Sequence, residues 1–186
     1  TTVTGTSADD TVEIDAVALA DDTLLTTDGA ANFTITNLLG DLDNSATGTN
    51  SVTLNDNGAG AAVATTLTSS TAIGVANGNF ADGDTINLAG AGAFTVTGLV
   101  ADLDATNATG TVDATTAATA GTVVVTTGSA ATTVTGTSAD DTVEIDAVAM
   151  ADDTLLTTGG AANFTITGLV ADLTSTADGG VVDITS

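Results

Sequence analysis

Apolar and polar residues alternate along the chain in short runs. Thr11-Val-Glu-Ile-Asp-Ala16 puts Val12, Ile14 and Ala16 on one face and Thr11, Glu13 and Asp15 on the other, the period-two pattern of a half-buried strand. Asn32-Phe-Thr-Ile-Thr36, Ser51-Val-Thr-Leu-Asn55 and Thr122-Val-Val-Val-Thr126 alternate in the same way. Clusters of Gly, Asn, Asp and Ser separate these runs at intervals of about ten residues, which is turn chemistry. The one helix-like stretch, Ala16 to Ala20, is too short and too poorly capped to form a helix. The pattern predicts an all-β chain.

The strands recur in larger units. Thr2 to Leu42 returns as Thr133 to Leu173 with five differences, Leu19/Met150, Asp28/Gly159, Asn37/Gly168, Leu39/Val170 and Gly40/Ala171. A more diverged copy lies between them, where Asp84-Thr85-Ile86 echoes Asp22-Thr23-Leu24 and Phe94 to Leu103 echoes Phe164 to Leu173. Three units are expected: residues 1–65, 66–132 and 133–186. Each divides into halves opened by a Thr-apolar-Thr tripeptide, at Thr2, Thr34, Thr66, Thr95, Thr133 and Thr165, at intervals of 32, 32, 29, 38 and 32 residues. The first two units continue past their last shared strand, through Ala61 to Thr65 and Thr122 to Thr126, whereas the third stops after Val182-Asp-Ile-Thr-Ser186 and is expected to lack a final strand.

Repeats of this size fit two architectures. In a β-solenoid, each half is one coil of three short strands, giving three stacked two-coil repeats with one continuous core. In the alternative, each unit folds alone as a small β-sandwich in a tandem array. The solenoid is favoured, because a unit of this length with so little aromatic bulk makes a marginal independent core, and Ala, Gly, Thr and Val suit close stacking of coils.

Composition narrows the chemistry. The chain contains no Lys, Arg, His, Cys, Trp, Tyr or Pro. General bases near neutral pH, thiolates, amine nucleophiles and cationic clamps are therefore missing. A carboxylate pair could serve a glycosidase, but the only aromatics that could hold a sugar are Phe33, Phe80, Phe94 and Phe164. No catalytic residue is assigned and no enzyme is expected. The formal charge of −24 excludes nucleic acid as a direct partner, since phosphate binding needs cations. Disorder is opposed by the 42% apolar content. No apolar run is long enough to span a bilayer. The first residue is Thr1 and no signal peptide precedes it, so a processed protein or a section of a longer one is expected.

The acids are clustered. Asp9-Asp10, Asp21-Asp22, Asp82 with Asp84, Asp140-Asp141 and Asp152-Asp153 fall in turn-like segments, where a short carboxylate bonds its own backbone or shares a hard cation with neighbouring carbonyls. Adjacent carboxylates repel unless an ion or solvent separates them, so these ten residues are the candidate calcium ligands and divalent cations the expected partners. At Gly5-Thr-Ser-Ala-Asp-Asp-Thr-Val-Glu13, and again at Gly136 to Glu144, the chain resembles the nonapeptide of haemolysin-type RTX repeats, Gly-Gly-x-Gly-x-Asp-x-apolar-x. Gly5, Asp10 and Val12 match, as do Gly136, Asp141 and Val143; two glycines of the motif are replaced, and the nonapeptides occur singly rather than in tandem. The resemblance implies a parallel β-roll, calcium held by the sixth-position Asp, and export from a Gram-negative bacterium. In composition the chain also resembles giant Thr-, Gly- and Asp-rich bacterial surface proteins.

The function expected from these features is structural. The chain reads as a calcium-stabilised, self-assembling subunit or section of a bacterial filament, surface layer or biofilm matrix, extracellular or on the cell surface, polymerising by head-to-tail contact. The absence of Lys and Arg denies trypsin-like proteases a cleavage site. An adhesin or carbohydrate-binding module is the alternative. Ice binding by outward Thr rows is opposed by the uneven 29- and 38-residue intervals, which break a flat array.

Overall fold

The computed structural model describes residues 1–21, 23–56, 62–178 and 180–185. All its regular structure is β. The first unit supplies β1 (Thr2–Gly5), β2 (Thr11–Asp15), β3 (Leu24–Gly29), β4 (Asn32–Leu38), β5 (Asp41–Asn44) and β6 (Asn50–Leu54). The second supplies β7 (Ala64–Ser69), β8 (Ile73–Ala76), β9 (Thr85–Gly90), β10 (Phe94–Leu99), β11 (Asp102–Ala108), β12 (Val112–Thr116) and β13 (Thr122–Thr126). The third supplies β14 (Thr132–Gly136), β15 (Thr142–Asp146), β16 (Leu155–Gly160), β17 (Asn163–Thr167), β18 (Asp172–Ala177) and β19 (Val182–Thr185).

Odd-numbered strands form one ten-stranded sheet and even-numbered strands a nine-stranded one, each strand pairing in parallel with the strand two positions away. The chain is thus a two-sheet β-solenoid of about nine coils. Apolar residues of both sheets point inward and stack in columns, such as Val143 on Phe164 on Val182 and Ile145 on Ile166 on Ile184. One continuous core results, and most of its members are buried. Tandem independent sandwiches are excluded by this continuity: β7 of the second unit pairs directly with β5 of the first, and β14 of the third with β12 of the second.

The coil differs from expectation. Leu24 stacks on Asp41 and Leu42 on Leu67, so one coil takes 17 residues and another 25. Each coil carries two strands rather than three. The Thr-apolar-Thr halves do hold three strands apiece over most of the chain, but three strands make one and a half coils, and the first and third units wind three coils each rather than two. Turn spacing counts strands; it does not say which strand lies beneath which.

A second correction concerns the closing strands. Ala61 lies outside the described residues, and Ala62-Val63 leads directly into β7, which carries Thr66-Leu67-Thr68. Among the described residues the first unit therefore has six strands, as the third has, and β13 is the extra strand of the second. Seven strands in the middle unit have a geometric result. The third unit starts half a coil out of phase, so Thr2-Val-Thr4 lies in the odd sheet while its copy Thr133-Val-Thr135 lies in the even sheet.

Candidate functional site

The turns that carry the acid pairs run along two opposite edges of the solenoid. The edge where odd strands lead to even ones holds Asp9, Asp10, Asp152 and Asp153; the other holds Asp21, Asp82, Asp84, Asp140 and Asp141. Asp22 lies outside the described residues. The two nonapeptide segments consequently sit on opposite edges and near opposite ends, and their acids do not stack on one another. Among the described residues no three carboxylates converge on one point, so any calcium bound here would draw most of its ligands from carbonyls, hydroxyls and water.

The two nonapeptide turns share a local geometry. The Asp10 amide donates to the Ser7 carbonyl at 3.2 Å and the Asp9 amide to Ser7 Oγ at 3.3 Å; Asp141 and Asp140 do the same with Ser138, each at 3.2 Å. The glycine that opens each turn is required by a close approach. A Cβ on Gly5 would lie 2.2 Å from Ala31 Cβ, and one on Gly136 2.1 Å from Ala162 Cβ, in the stacked turn of the next coil. The copies differ in burial. Asp141 is 3% exposed; its Oδ1 accepts from the Gly121 amide of the preceding coil at 3.0 Å, and its Oδ2 is buried without a partner. Asp10 has no described coil before it and is exposed. Among the described carboxylates, Asp141 Oδ2 is the buried oxygen left without a hydrogen-bond partner.

Other acids serve the backbone. Asp84 is buried, with Oδ1 accepting from the Val63 amide at 2.8 Å and Oδ2 from the Ala81 amide at 2.7 Å. Asp152 and Asp153 are exposed at a turn in which Asp153 adopts φ 69°. Asp82 is exposed in the turn before β9. Two acids outside the candidate set are clamps between coils: Asp41 Oδ1 accepts from the Thr66 amide at 2.7 Å, and Asp102 Oδ1 from the Val124 amide at 2.9 Å. Each opens an Asp-Leu strand start, which is the signal that could have found them.

Amides do similar work. Asn32 Nδ2 donates to the Ala8 carbonyl at 3.3 Å while its Oδ1 accepts from the Thr49 amide at 2.7 Å, so one side chain ties the coil before to the coil after. Asn163 repeats this with Ala139 and Val181. Asn77 Oδ1 accepts from the Val100 and Ala101 amides at 3.1 and 3.2 Å. Such bridges satisfy turn amides that a solenoid would otherwise leave unpaired between coils.

One shallow groove on the outer surface, of about 270 Å³, is lined by Gly48, Thr49, Asn50, Ile73, Gly74 and Thr95. Phe33, Phe80, Phe94 and Phe164 are all buried in the core, so no aromatic face is presented to a sugar. No described helix is long and apolar enough to cross a membrane.

The fold and these turns define the chain as a parallel two-sheet β-solenoid repeat protein whose coils are tied together by Asp and Asn side chains. No family model matches it, and no curated protein or solved structure shows significant similarity to it.

Proposed function

We propose that the protein is an extracellular structural element, a self-assembling subunit or section of a bacterial filament, surface layer or matrix, and that it has no catalytic role. The observation that carries this reading is a core that runs uninterrupted through stacked parallel coils from unit to unit, β5 pairing with β7 and β12 with β14. Such a stack is extended by adding coils of the same kind, the geometry of a fibre or layer element.

Calcium is the proposed stabiliser, held first at Asp140-Asp141 and then at Asp9-Asp10, with the other acid turns as secondary sites. The support is the unpartnered Asp141 Oδ2 and a formal charge of −24 with no Lys or Arg to offset it. The adhesin or carbohydrate-binding alternative is weakened by the burial of every Phe. Electron microscopy of the purified chain tests the structural reading. Filaments or lattices are expected; a monodisperse monomer at high concentration in salt would refute it.

A further inference from the structure

The uneven spacing of the Thr-apolar-Thr tripeptides does not break the surface they form, because the corners absorb it. Thr95 stacks on Asp113 and Asp113 on Thr133, so the 38-residue interval is two coils of one sheet, of 18 and 20 residues. The 29-residue interval runs from Thr66 in β7 to Thr95 in β10, which lie in opposite sheets. On the outer face of the even sheet, across β10, β12, β14, β16 and β18, one rank reads Thr95, Asp113, Thr133, Thr157 and Thr174. The rank beside it reads Thr97, Thr115, Thr135, Gly159 and Thr176. Eight of these ten positions are threonine, and the register through them is unbroken. Beyond Gly74 and Ala76 of β8, whose small residues interrupt the array, Ser51, Thr53 and Thr34 continue the same face.

Acids are kept off this patch. The outer face of the odd sheet carries Asp41, Asp43, Asp102, Asp104, Glu144 and Asp146, whereas the ten positions of the two ranks hold one acid, Asp113. The half-coil shift between the first and third units makes the sorting visible. Strand β3 lies in the odd sheet and its copy β16 in the even sheet, and outward Asp28 of β3 is replaced by Gly159 of β16, one of the five differences between the copies. Just past the copied segment, outward Asp43 of β5 in the odd sheet is matched by Thr174 of β18 in the even sheet. Thr2 and Thr26 are kept, as Thr133 and Thr157. Strand β2 retains Glu13 and Asp15 beside Thr34 and Thr36 and bounds the uncharged region.

The two ranks form a rigid lattice of hydroxyl and methyl groups. Alternate residues of a strand lie about 6.6 Å apart and stacked strands about 4.8 Å apart, spacings near those between oxygen atoms on the faces of hexagonal ice. The branched side chain of threonine is stiff at χ1, so the array loses little rotamer freedom when a surface settles on it. The hydroxyls of Thr95, Thr115, Thr133, Thr135, Thr157 and Thr174 make no hydrogen bond within the described residues and are open to water. A face almost without charge suits an uncharged occupant, and with every Phe in the core there is no ring on which a sugar could stack. We infer that this face binds ice, the threonine ranks holding a layer of ordered water that merges with the lattice of a growing crystal. Binding needs only the face of one solenoid, whether or not copies of the chain assemble.

Slow growth of ice through a dilute solution of the chain tests this. The parent chain is expected to be taken up into the ice, whereas solutes that do not bind are pushed into the remaining liquid. Thr133→Tyr/Thr135→Tyr raises two bulky rings above the ranks in β14, and uptake is expected to be lost, together with any thermal hysteresis. Thr165→Tyr/Thr167→Tyr makes the same change to a Thr-apolar-Thr tripeptide of β17 in the odd sheet, and is expected to leave both readouts at the parental level. Tyr is favoured in strands, and thermal melts of both pairs check that the fold is kept. Thr157→Tyr, a single change in the neighbouring strand, is expected to weaken uptake and repeats the test should the β14 pair melt lower. A parent chain left in the liquid overturns the ice face, whether the ranks then prove to bind a crystalline polysaccharide or a second copy, and so does equal uptake by the two Tyr pairs. Electron microscopy reads assembly separately, so filaments that ice excludes would sink the ice face and leave the structural reading intact.

Discussion

Asn44 donates from Nδ2 to Ser69 Oγ at 2.9 Å in the interior of the solenoid, and its Oδ1 accepts from Thr27 Oγ1 at 2.8 Å. Three successive coils are joined by this buried polar column, which Thr71 extends by accepting from Asn44 Nδ2 at 3.0 Å and donating to the Ala46 carbonyl at 2.8 Å. The column occupies inward positions that elsewhere hold Val and Ile. It fixes the register of these coils, because a slip by one residue would leave every member unpaired in the core.

Asn44→Leu removes the central member and strands the hydroxyl of Thr27, while Ser69 Oγ still donates to the Thr71 carbonyl at 2.8 Å. A destabilisation of about 1–3 kcal/mol is expected, read as a lower denaturant midpoint. The double change Thr27→Val/Asn44→Leu, which removes the stranded hydroxyl too, is expected to recover part of that loss. Equal stability of Asn44→Leu and the parent chain would show that the column does not contribute.

The close approach of Gly136 to Ala162 gives a second prediction. Gly136→Ala forces two stacked turns apart and is expected to cost about 1–3 kcal/mol. Gly136→Ala combined with Ala162→Gly relieves the contact, and a double-mutant cycle of thermal melts should return a favourable coupling. Additive effects would mean that the two turns do not share the strain.

Asp15 provides a pH test. Its carboxylate accepts from Asn37 Nδ2 at 3.0 Å and from the Val17 amide at 3.2 Å, and these bonds hold its pKa below the ordinary aspartate value, the Asn37 bond being the larger cause. A depressed folded-state pKa gives stability that is present above the unfolded value and is lost as pH falls through the folded one. In an NMR titration Asp15 should therefore ionise below the ordinary aspartate range. Asn37 has φ 57° and its counterpart Gly168 has φ 64°, so Asn37→Gly keeps the turn while removing the bond. That variant should raise the Asp15 midpoint; an unchanged midpoint would rule out the Asn37 bond as its cause.

Charge and calcium give opposite responses to two reagents. Self-repulsion among 24 acidic side chains weakens as the screening length falls from about 10 Å at 0.1 M salt to about 3 Å at 1 M, so the melting temperature should rise with sodium chloride when divalent ions are absent. In millimolar calcium, sites with dissociation constants on the order of 10⁻⁴ M would each add roughly 1–2 kcal/mol. Excess chelator at fixed ionic strength should then lower the melting temperature, and Asp140→Asn/Asp141→Asn should shrink that shift. No response to chelator would leave the acid pairs as turn formers alone.

The strands themselves were legible in the sequence. Alternation in Thr11 to Ala16 and Asn32 to Thr36 marks β2 and β4, and the Thr-apolar-Thr tripeptides each fall within a strand, because side-chain alternation is a local property of extended chain. Composition alone also fixed what the surface lacks, since a chain without Lys, Arg or His presents no basic side chain however it folds. The pairing of each strand with the strand two positions away, rather than three, was decided only by tertiary structure: it depends on the turn angle at each corner and on which side chains fill the space between the sheets. The same holds for Asp10 and Asp141, identical in sequence context, one exposed and one buried with an unpartnered oxygen. Their difference comes from the coil stacked before Asp141, a contact between residues some twenty positions apart that neither nonapeptide records.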